Sequence, residues 1–430
     1  MERKIYKDLF MWKNSPDRKP LILQGARQVG KTYIVNYFAG KEYPNFVYCN
    51  FEKDKSLHDF FNSLIPEEII KKISLYKRKQ ILPNDTLIIF DEIQACPEAI
   101  TSLKYFNEEA NDYHIIALGS LLGVSVNRES FSFPVGKVQF LTMFPLDFEE
   151  YLMAQDEGAL IDLIRYSFEN NKMLDSAFHE RALKYYKEYL FVGGMPEAVI
   201  EYTKNKNTEL VRIVQQGILE AYHNDMGKYN KQTEIPKTRI VYKNISTQLA
   251  KENKKFQYRY VKEGGRASDF ENAIEWLCLA GIASQNYRLE QIMLPLNAYR
   301  SLSDFKFYMN DVGLCSASQD IYYEDILGSN PLLDNFKGGL TENYVYNQLT
   351  VNKYNLFYWT NKSQAEIDFI SRIGEDIIPI EVKSNDNTRS KSLSMYMEKY
   401  SPKYAIRISA KNFGFENGIK SVPLYAVFCI

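Results

Sequence analysis

Cysteine and histidine are scarce, with five cysteines (Cys49, Cys96, Cys278, Cys315 and Cys429) and four histidines in 430 residues. The cysteines are odd in number, far apart and form no C-x-x-C pair, which argues against a disulfide framework and against a zinc site. A reducing, cytoplasmic setting is expected. No run reaches the roughly 18 uncharged apolar residues that a membrane-spanning helix needs. The charged start, MERKIYKDLFMWKNSPDRK, holds no apolar stretch of signal-peptide length. A soluble chain without a membrane partner is the expectation. An excess of either charge is also missing: 53 Lys and Arg face 54 Asp and Glu. Affinity for nucleic acid must therefore come from a local patch. What is present is an ordinary globular mixture, 45% hydrophobic and 25% charged, long enough for two to four domains.

From Pro20 to about Glu149, short apolar runs alternate with amphipathic stretches. LILQGA, NFVYCNFE, TLIIFDE and YHIIALGS read as buried strands, and KVQFLTMFPLDFEEY as a fifth strand followed by a helix. This alternation predicts an α/β domain over residues 1–150 with a parallel sheet. Residues 151–330 are mostly helical in period, broken at Gly193-Gly194 and Gly264-Gly265. Residues 331–430 read as a helix, three strands (NLFYWT, AEIDFISR, IIPIEVKS), a helix and two more strands (YAIRISA, PLYAVFCI).

Gly25-Ala26-Arg27-Gln28-Val29-Gly30-Lys31-Thr32 matches G-x-x-x-x-G-K-[ST] between a strand and a helix. The glycines let successive backbone N–H groups curl around phosphates at the positive end of the following helix. Lys31 would neutralise the β and γ phosphates of ATP, and Thr32 would ligate Mg²⁺. In Leu87-Ile88-Ile89-Phe90-Asp91-Glu92, Asp91 closes a central strand and would hold the same Mg²⁺. Glu92 is suited to orient or deprotonate the attacking water. Ser120 ends a third strand, where a polar side chain can sense the γ-phosphate, and Asn50 ends another. Both could equally serve only their own turns. Arg128 and Lys137 lie where a neighbouring subunit of a homo-oligomer could receive a positive group.

Together QGARQVGKT, YCNFEK, LIIFDEIQ, ALGSLL and FPLDFEEY resemble the AAA+-like ATPase domain of a large prokaryotic family of uncharacterised P-loop proteins. FVGGMPEAV and FKFYMNDVGL resemble the C-terminal region that accompanies it. The resemblance implies an extra strand between the two nucleotide motifs and a catalytic glutamate, which maps onto Glu92. Family members often carry an arginine after the stretch that here reads Phe133-Pro134-Val135-Gly136-Lys137; this chain has lysine.

Between Lys228 and Arg266 stand eleven Lys/Arg against three Glu, with Phe256, Tyr258 and Tyr260 among them. Such interleaving can neutralise phosphates and stack bases. A helix ending near Ala250, a helix from Ala267 to Gly281 and the following YRL and LPLNAY strands would make a winged helix. The second helix carries Asp269, Glu271 and Glu275, which repel DNA. A solvated basic face or a protein-docking surface is the alternative.

Near the C-terminus, Glu342, Asp368, Glu381 and Lys383 form a set. Glu381 and Lys383 share one face of a strand, and Asp368 would share a Mg²⁺ with Glu342 and Glu381 while Lys383 lies adjacent. The D-x(12)-E-x-K spacing with this element order resembles the PD-(D/E)XK, restriction-endonuclease-like fold. Surface ion pairing in a degenerate domain is the plain alternative. The leading functional reading is Mg²⁺-dependent ATP hydrolysis coupled to conformational work on a nucleic-acid or protein partner. The rivals are an ATP-switched signalling scaffold with slow hydrolysis, and an ATP-regulated, Mg²⁺-dependent nuclease.

Overall fold

The computed structural model describes residues 2–119, 134–228, 232–328, 330–361, 365–384 and 391–430. It divides into two compact units, one of residues 2–144 with 279–281, the other of residues 145–278 and 282–430.

The first unit is built on a five-stranded sheet of β1 (Leu21–Gln24), β2 (Asn45–Asn50), β3 (Thr86–Asp91), β4 (His114–Gly119) and β5 (Gln139–Thr142), in the order β2-β3-β4-β1-β5. Every pairing is parallel. β3 and β4 are buried along their whole length, whereas the edge strands β2 and β5 are only partly covered. That explains why TLIIF and HIIAL are continuous apolar runs: a central parallel strand has helices on both faces. Ile22, Val47, Ile88, Phe90, Ile115 and Ala117 join Ile69, Ile73 and Leu103 in one core. β4 lies between β1 and β3, so an extra strand does separate the two motif-bearing strands. Gln24 pairs with Gly119, and Asn50 with Asp91, so the strand ends fall at one edge of the sheet.

The second unit begins with the helix Phe148–Ala154. Asp147 accepts from the Glu150 amide at 2.8 Å, and Glu150 accepts from the Asp147 amide at 3.2 Å, a reciprocal cap written in the sequence as D-x-x-E. Helices Ser176–Val192 and Pro196–Asn205 flank the Gly193-Gly194 break, and the helices Ile235–Leu249 and Ala267–Leu279 follow. Then comes an eight-stranded mixed sheet of β6 (Ala283–Leu289), β7 (Arg300–Met309), β8 (Phe357–Asn361), β9 (Ala365–Ile373), β10 (Asp376–Val382), β11 (Ala405–Ser409), β12 (Gly414–Glu416) and β13 (Ile419–Pro423). Its order is β12-β13-β11-β10-β9-β8-β6-β7.

This sheet departs from the sequence reading in three ways. YRL lies in β6, but LPLNAY, expected as the second wing strand, is loop and the short helical turn Leu296–Tyr299, and the strand that pairs with β6 is β7. β6 also pairs in parallel with β8, so one sheet runs across the boundary expected at residues 330 and 331. The final run PLYAVFCI is not a strand; Leu424–Cys429 form a short helical turn whose first five residues are buried, and the strand lies just before it. A short, wholly apolar run carries no period to tell the two apart. All five cysteines are free, and no described helix is long and apolar enough to cross a membrane.

Candidate active site

The loop between β1 and the helix Lys31–Glu42 takes its shape from three left-handed residues, Gly25 (φ 145°), Gln28 (φ 65°) and Gly30 (φ 95°). At Gly25 no other residue fits, because a Cβ would stand 2.1 Å from the Met143 carbonyl oxygen. Lys31 opens the helix and is 9% exposed. Its ammonium folds back into the loop, donating to the carbonyls of Gly25 at 2.9 Å and Ala26 at 2.7 Å.

The Thr32 hydroxyl donates to Asp91 Oδ2 at 3.1 Å. The ends of β1 and β3 thus bring together the two oxygens expected to hold Mg²⁺, and this hard-oxygen pair beside an ammonium fits that ion. Asp91 also accepts from the Tyr48 hydroxyl, and its Oδ1 takes the Glu92 amide at 2.9 Å. Glu92 has a left-handed backbone (φ 50°), and the Gln94 side chain donates to its carboxylate.

Burial lowers Lys31 to about 8, with Glu92 and Asp91 pulling the other way. Burial likewise raises Glu92 above the usual carboxylate range. Tyr48 is pushed up to about 12, first by burial and then by its bond to Asp91. The site therefore keeps an easily protonated carboxylate close to a readily discharged lysine.

The remaining expected positions divide. Asn50 serves its own turn, accepting from the amides of Glu52 at 3.2 Å and Lys53 at 2.9 Å. Lys137 is engaged with Glu108 at 2.9 Å. Ser120 and Arg128 lie outside the described residues. Sequence reasoning missed Tyr48, Gln94 and Arg3. The Arg3 guanidinium is buried and donates to the carbonyls of Val29 at 2.9 Å, inside the loop, and Phe144 at 2.7 Å. Nothing in a charged N-terminal stretch signals that one arginine closes on a loop 26 residues away.

In the second unit, Glu342, Asp368, Glu381 and Lys383 do converge, but around ammonium groups. Glu342 is 1% exposed and accepts from Lys306 at 2.6 Å, Lys254 at 2.5 Å and the Tyr308 hydroxyl. Lys306 also bonds Glu366 at 2.5 Å and stands 3.8 Å from Asp368. Lys383 pairs with Glu381 at 2.7 Å, and Asp368 accepts from the Val382 amide at 2.8 Å.

Burial would raise Glu342, but Lys254 and Lys306 outweigh it and hold the carboxyl well below its usual range. Asp368 is raised by burial and then by Glu342 and Glu381. Among the described residues, no group of three or more His, Cys, Asp or Glu side chains is arranged to hold a metal ion. The expected metal ligands are therefore together without fitting a Mg²⁺. The missed residues left one trace: Lys306 and Tyr308 alternate with Phe305 and Phe307, a charge inside the buried half of β7.

Part of the basic segment is engaged internally. Lys254 serves Glu342, Lys255 pairs with Asp304 at 2.6 Å, and Lys237 pairs with Glu234 at 3.0 Å. Phe256 is buried and stacks on Phe305, and Tyr258 stacks on Phe270. Phe256 is core and Tyr258 half-buried, whereas Tyr260 is exposed, with Lys251 and Arg259 over its ring.

Residues 17–152 match the family model of an AAA domain. Residues 183–325 match a domain of unknown function (DUF8612), and residues 337–427 match another (DUF4143). An uncharacterized protein of Methanocaldococcus jannaschii, MJ1544, is 22% identical over 386 residues, 87% of this chain and 77% of that one. Among solved structures, the Walker-type ATPase PABY2304 of Pyrococcus abyssi aligns with a TM-score of 0.46 at 14% identity, over 74% of this chain and 95% of the other. The Aeropyrum pernix ORC1 protein in complex with DNA aligns with a TM-score of 0.29 at 11% identity, over 74% and 91%. The AAA-domain match spans all five parallel strands, so the first unit is a P-loop, AAA-type ATPase-like domain.

Proposed function

We propose that this chain binds ATP with Mg²⁺ at the Gly25–Thr32 loop and hydrolyses it with Glu92 as the catalytic carboxylate. One observation carries the reading: Lys31, Thr32 and Asp91 are held together at the carboxyl ends of β1 and β3, with Glu92 next in sequence. Ligands of open α/β sheets bind at that edge.

The loop amides and the Lys31 ammonium receive the phosphates, and the ammonium gives up its two carbonyl partners to do so. Thr32 and Asp91 would hold Mg²⁺, which supplies charge neutralisation on the phosphate oxygens. Glu92 orients a water and accepts its proton. The raised basicity that burial gives this carboxylate suits a general base. Gln94 positions Glu92, and Tyr48 and Thr32 position Asp91. The AAA-domain match over residues 17–152 supports the same chemistry. Coupling of hydrolysis to a partner belongs to this reading as a further expectation. DNA as that partner is weakened by the internal pairing of Lys254 and Lys255.

The test is a nucleotide titration and a phosphate-release assay on two variants. Lys31→Ala should lose ATP binding, and Glu92→Gln should bind ATP normally while hydrolysing it at least about 100-fold more slowly. Wild-type turnover in Glu92→Gln would remove the catalytic assignment; unchanged affinity in Lys31→Ala would remove the site.

A further inference from the structure

The acidic cluster of the second unit has the residue set of a metal centre but not its geometry. The Lys306 side chain is fully buried. Stranding one ammonium away from water costs several kcal/mol, so such a group sits where carboxylates neutralise it. It meets Glu342 at 2.6 Å, Glu366 at 2.5 Å and Asp368 at 3.8 Å. Both oxygens of Glu342 are taken, one by Lys306 and Tyr308, the other by Lys254. One oxygen of Asp368 is taken by the Val382 amide.

We propose that Lys306 is the resident cation of this cluster, an ammonium occupying the place between Glu342 and Asp368 that a divalent ion would need, so that the second unit carries a lysine-filled site and not a Mg²⁺ centre.

The backbone holds the lysine there. β7 pairs with β6, placing Lys306 opposite Asn286, and Phe305 and Phe307 on either side are each 2% exposed on the opposite face. A one-residue slip would exchange the lysine for a phenylalanine. The register thus fixes the face from which Lys306 enters, and its fully buried ammonium can leave only by giving up its carboxylate partners. Mg²⁺ needs oxygens at about 2.0–2.1 Å in octahedral array, and the Lys306 ammonium stands in the space between Glu342 and Asp368 that the ion and its waters would fill. Lys383 does the corresponding work for Glu381 at 2.7 Å. The proposal differs from the nuclease reading in what it requires: a Glu342 carboxylate bound by Lys306 from β7 and by Lys254, with no entry of metal.

Mn²⁺ binding to the full-length, nucleotide-free chain, followed by electron paramagnetic resonance, tests this. Wild type should bind no Mn²⁺ that Asp368→Asn removes. Lys306→Met should acquire one Mn²⁺ site, lost again when Asp368→Asn is added, and its lowered melting temperature should rise with Mn²⁺. A wild-type site abolished by Asp368→Asn would overturn the proposal, as would a folded Lys306→Met that takes up no ion. Should Lys306→Met not fold, the comparison of wild type with Asp368→Asn decides alone: the same Mn²⁺ binding by both supports the lysine-filled site.

Discussion

The amide of Gly194 donates to Asp311 Oδ2 at 2.6 Å across 117 residues of sequence. Asp311 Oδ1 at the same time caps the helix Val312–Ala317 through the Leu314 amide at 2.8 Å. FVGGMPEAV and FKFYMNDVGL, separate in the sequence, are thus two sides of one joint. Its closeness excludes side chains: a Cβ on Gly194 would stand 2.0 Å from the Leu146 carbonyl oxygen, and one on Gly313 would stand 2.5 Å from that of Val192.

Gly194→Ala should therefore destabilise the second unit by about 3 kcal/mol, the upper range for forcing a methyl into packed structure. Urea midpoints with an unchanged slope would show it. A loss of under about 0.5 kcal/mol, the usual size of surface effects, would mean the backbone yields without cost.

Asp311 gives the joint a pH dependence. Burial raises its carboxyl to about 6, against the pull of the Gly194, Leu314 and Gly313 amides. A raised acid favours the folded state when protonated. Its stabilising contribution is complete below the unfolded value near 3.8 and is lost as pH rises through about 6. The stability of wild type relative to Asp311→Asn should fall by on the order of 3 kcal/mol between pH 3.5 and pH 7. Parallel stability curves for the two proteins would contradict the assignment.

Lys31 predicts proton uptake on nucleotide binding. With burial holding the empty-loop ammonium to about 8, phosphate charges would raise it, so binding above that pH recruits a proton. Affinity should weaken above pH 8, by up to about tenfold per unit. Calorimetry at pH 9 in two buffers of different ionisation enthalpy should give different apparent heats. Equal heats would show that Lys31 is already charged.

Arg3 braces the loop from outside it. Arg3→Met removes two charge-assisted bonds to buried carbonyls, each worth about 1.5–3 kcal/mol. The first unit should melt at lower temperature, and ATP affinity should fall by about tenfold, since the Val29 carbonyl lies within the loop. Unchanged affinity in a nucleotide titration would limit Arg3 to a role in stability.

Much of the candidate site in the first unit was legible because its signals are local. Glycines at 25 and 30, Lys31 and Thr32 follow one another, and their backbone angles arise within a single turn. Asp91 and Glu92 end a run whose apolar continuity announces a central strand. Tyr48, Gln94 and Arg3 were not legible, since each acts through a hydrogen bond whose partner folding alone selects. In the second unit the four expected residues lie together, but the lysine that stands among them was not legible. Spacing marks Asp368, Glu381 and Lys383 as neighbours but says nothing of what enters between them from β7.

The sequence by itself determined the Gly25–Thr32 loop, the parallel strands of the first unit and the breaks at glycine pairs, because these follow from backbone sterics and hydrophobic period over a few residues. Tertiary structure decided that the β6–β7 hairpin joins the C-terminal sheet, that Phe256 is core and that Lys306 stands among the acidic residues. Those outcomes depend on which strand edges and charges meet across distant chain segments. A buried ammonium and its carboxylates can neutralise one another only once the fold has removed both from water.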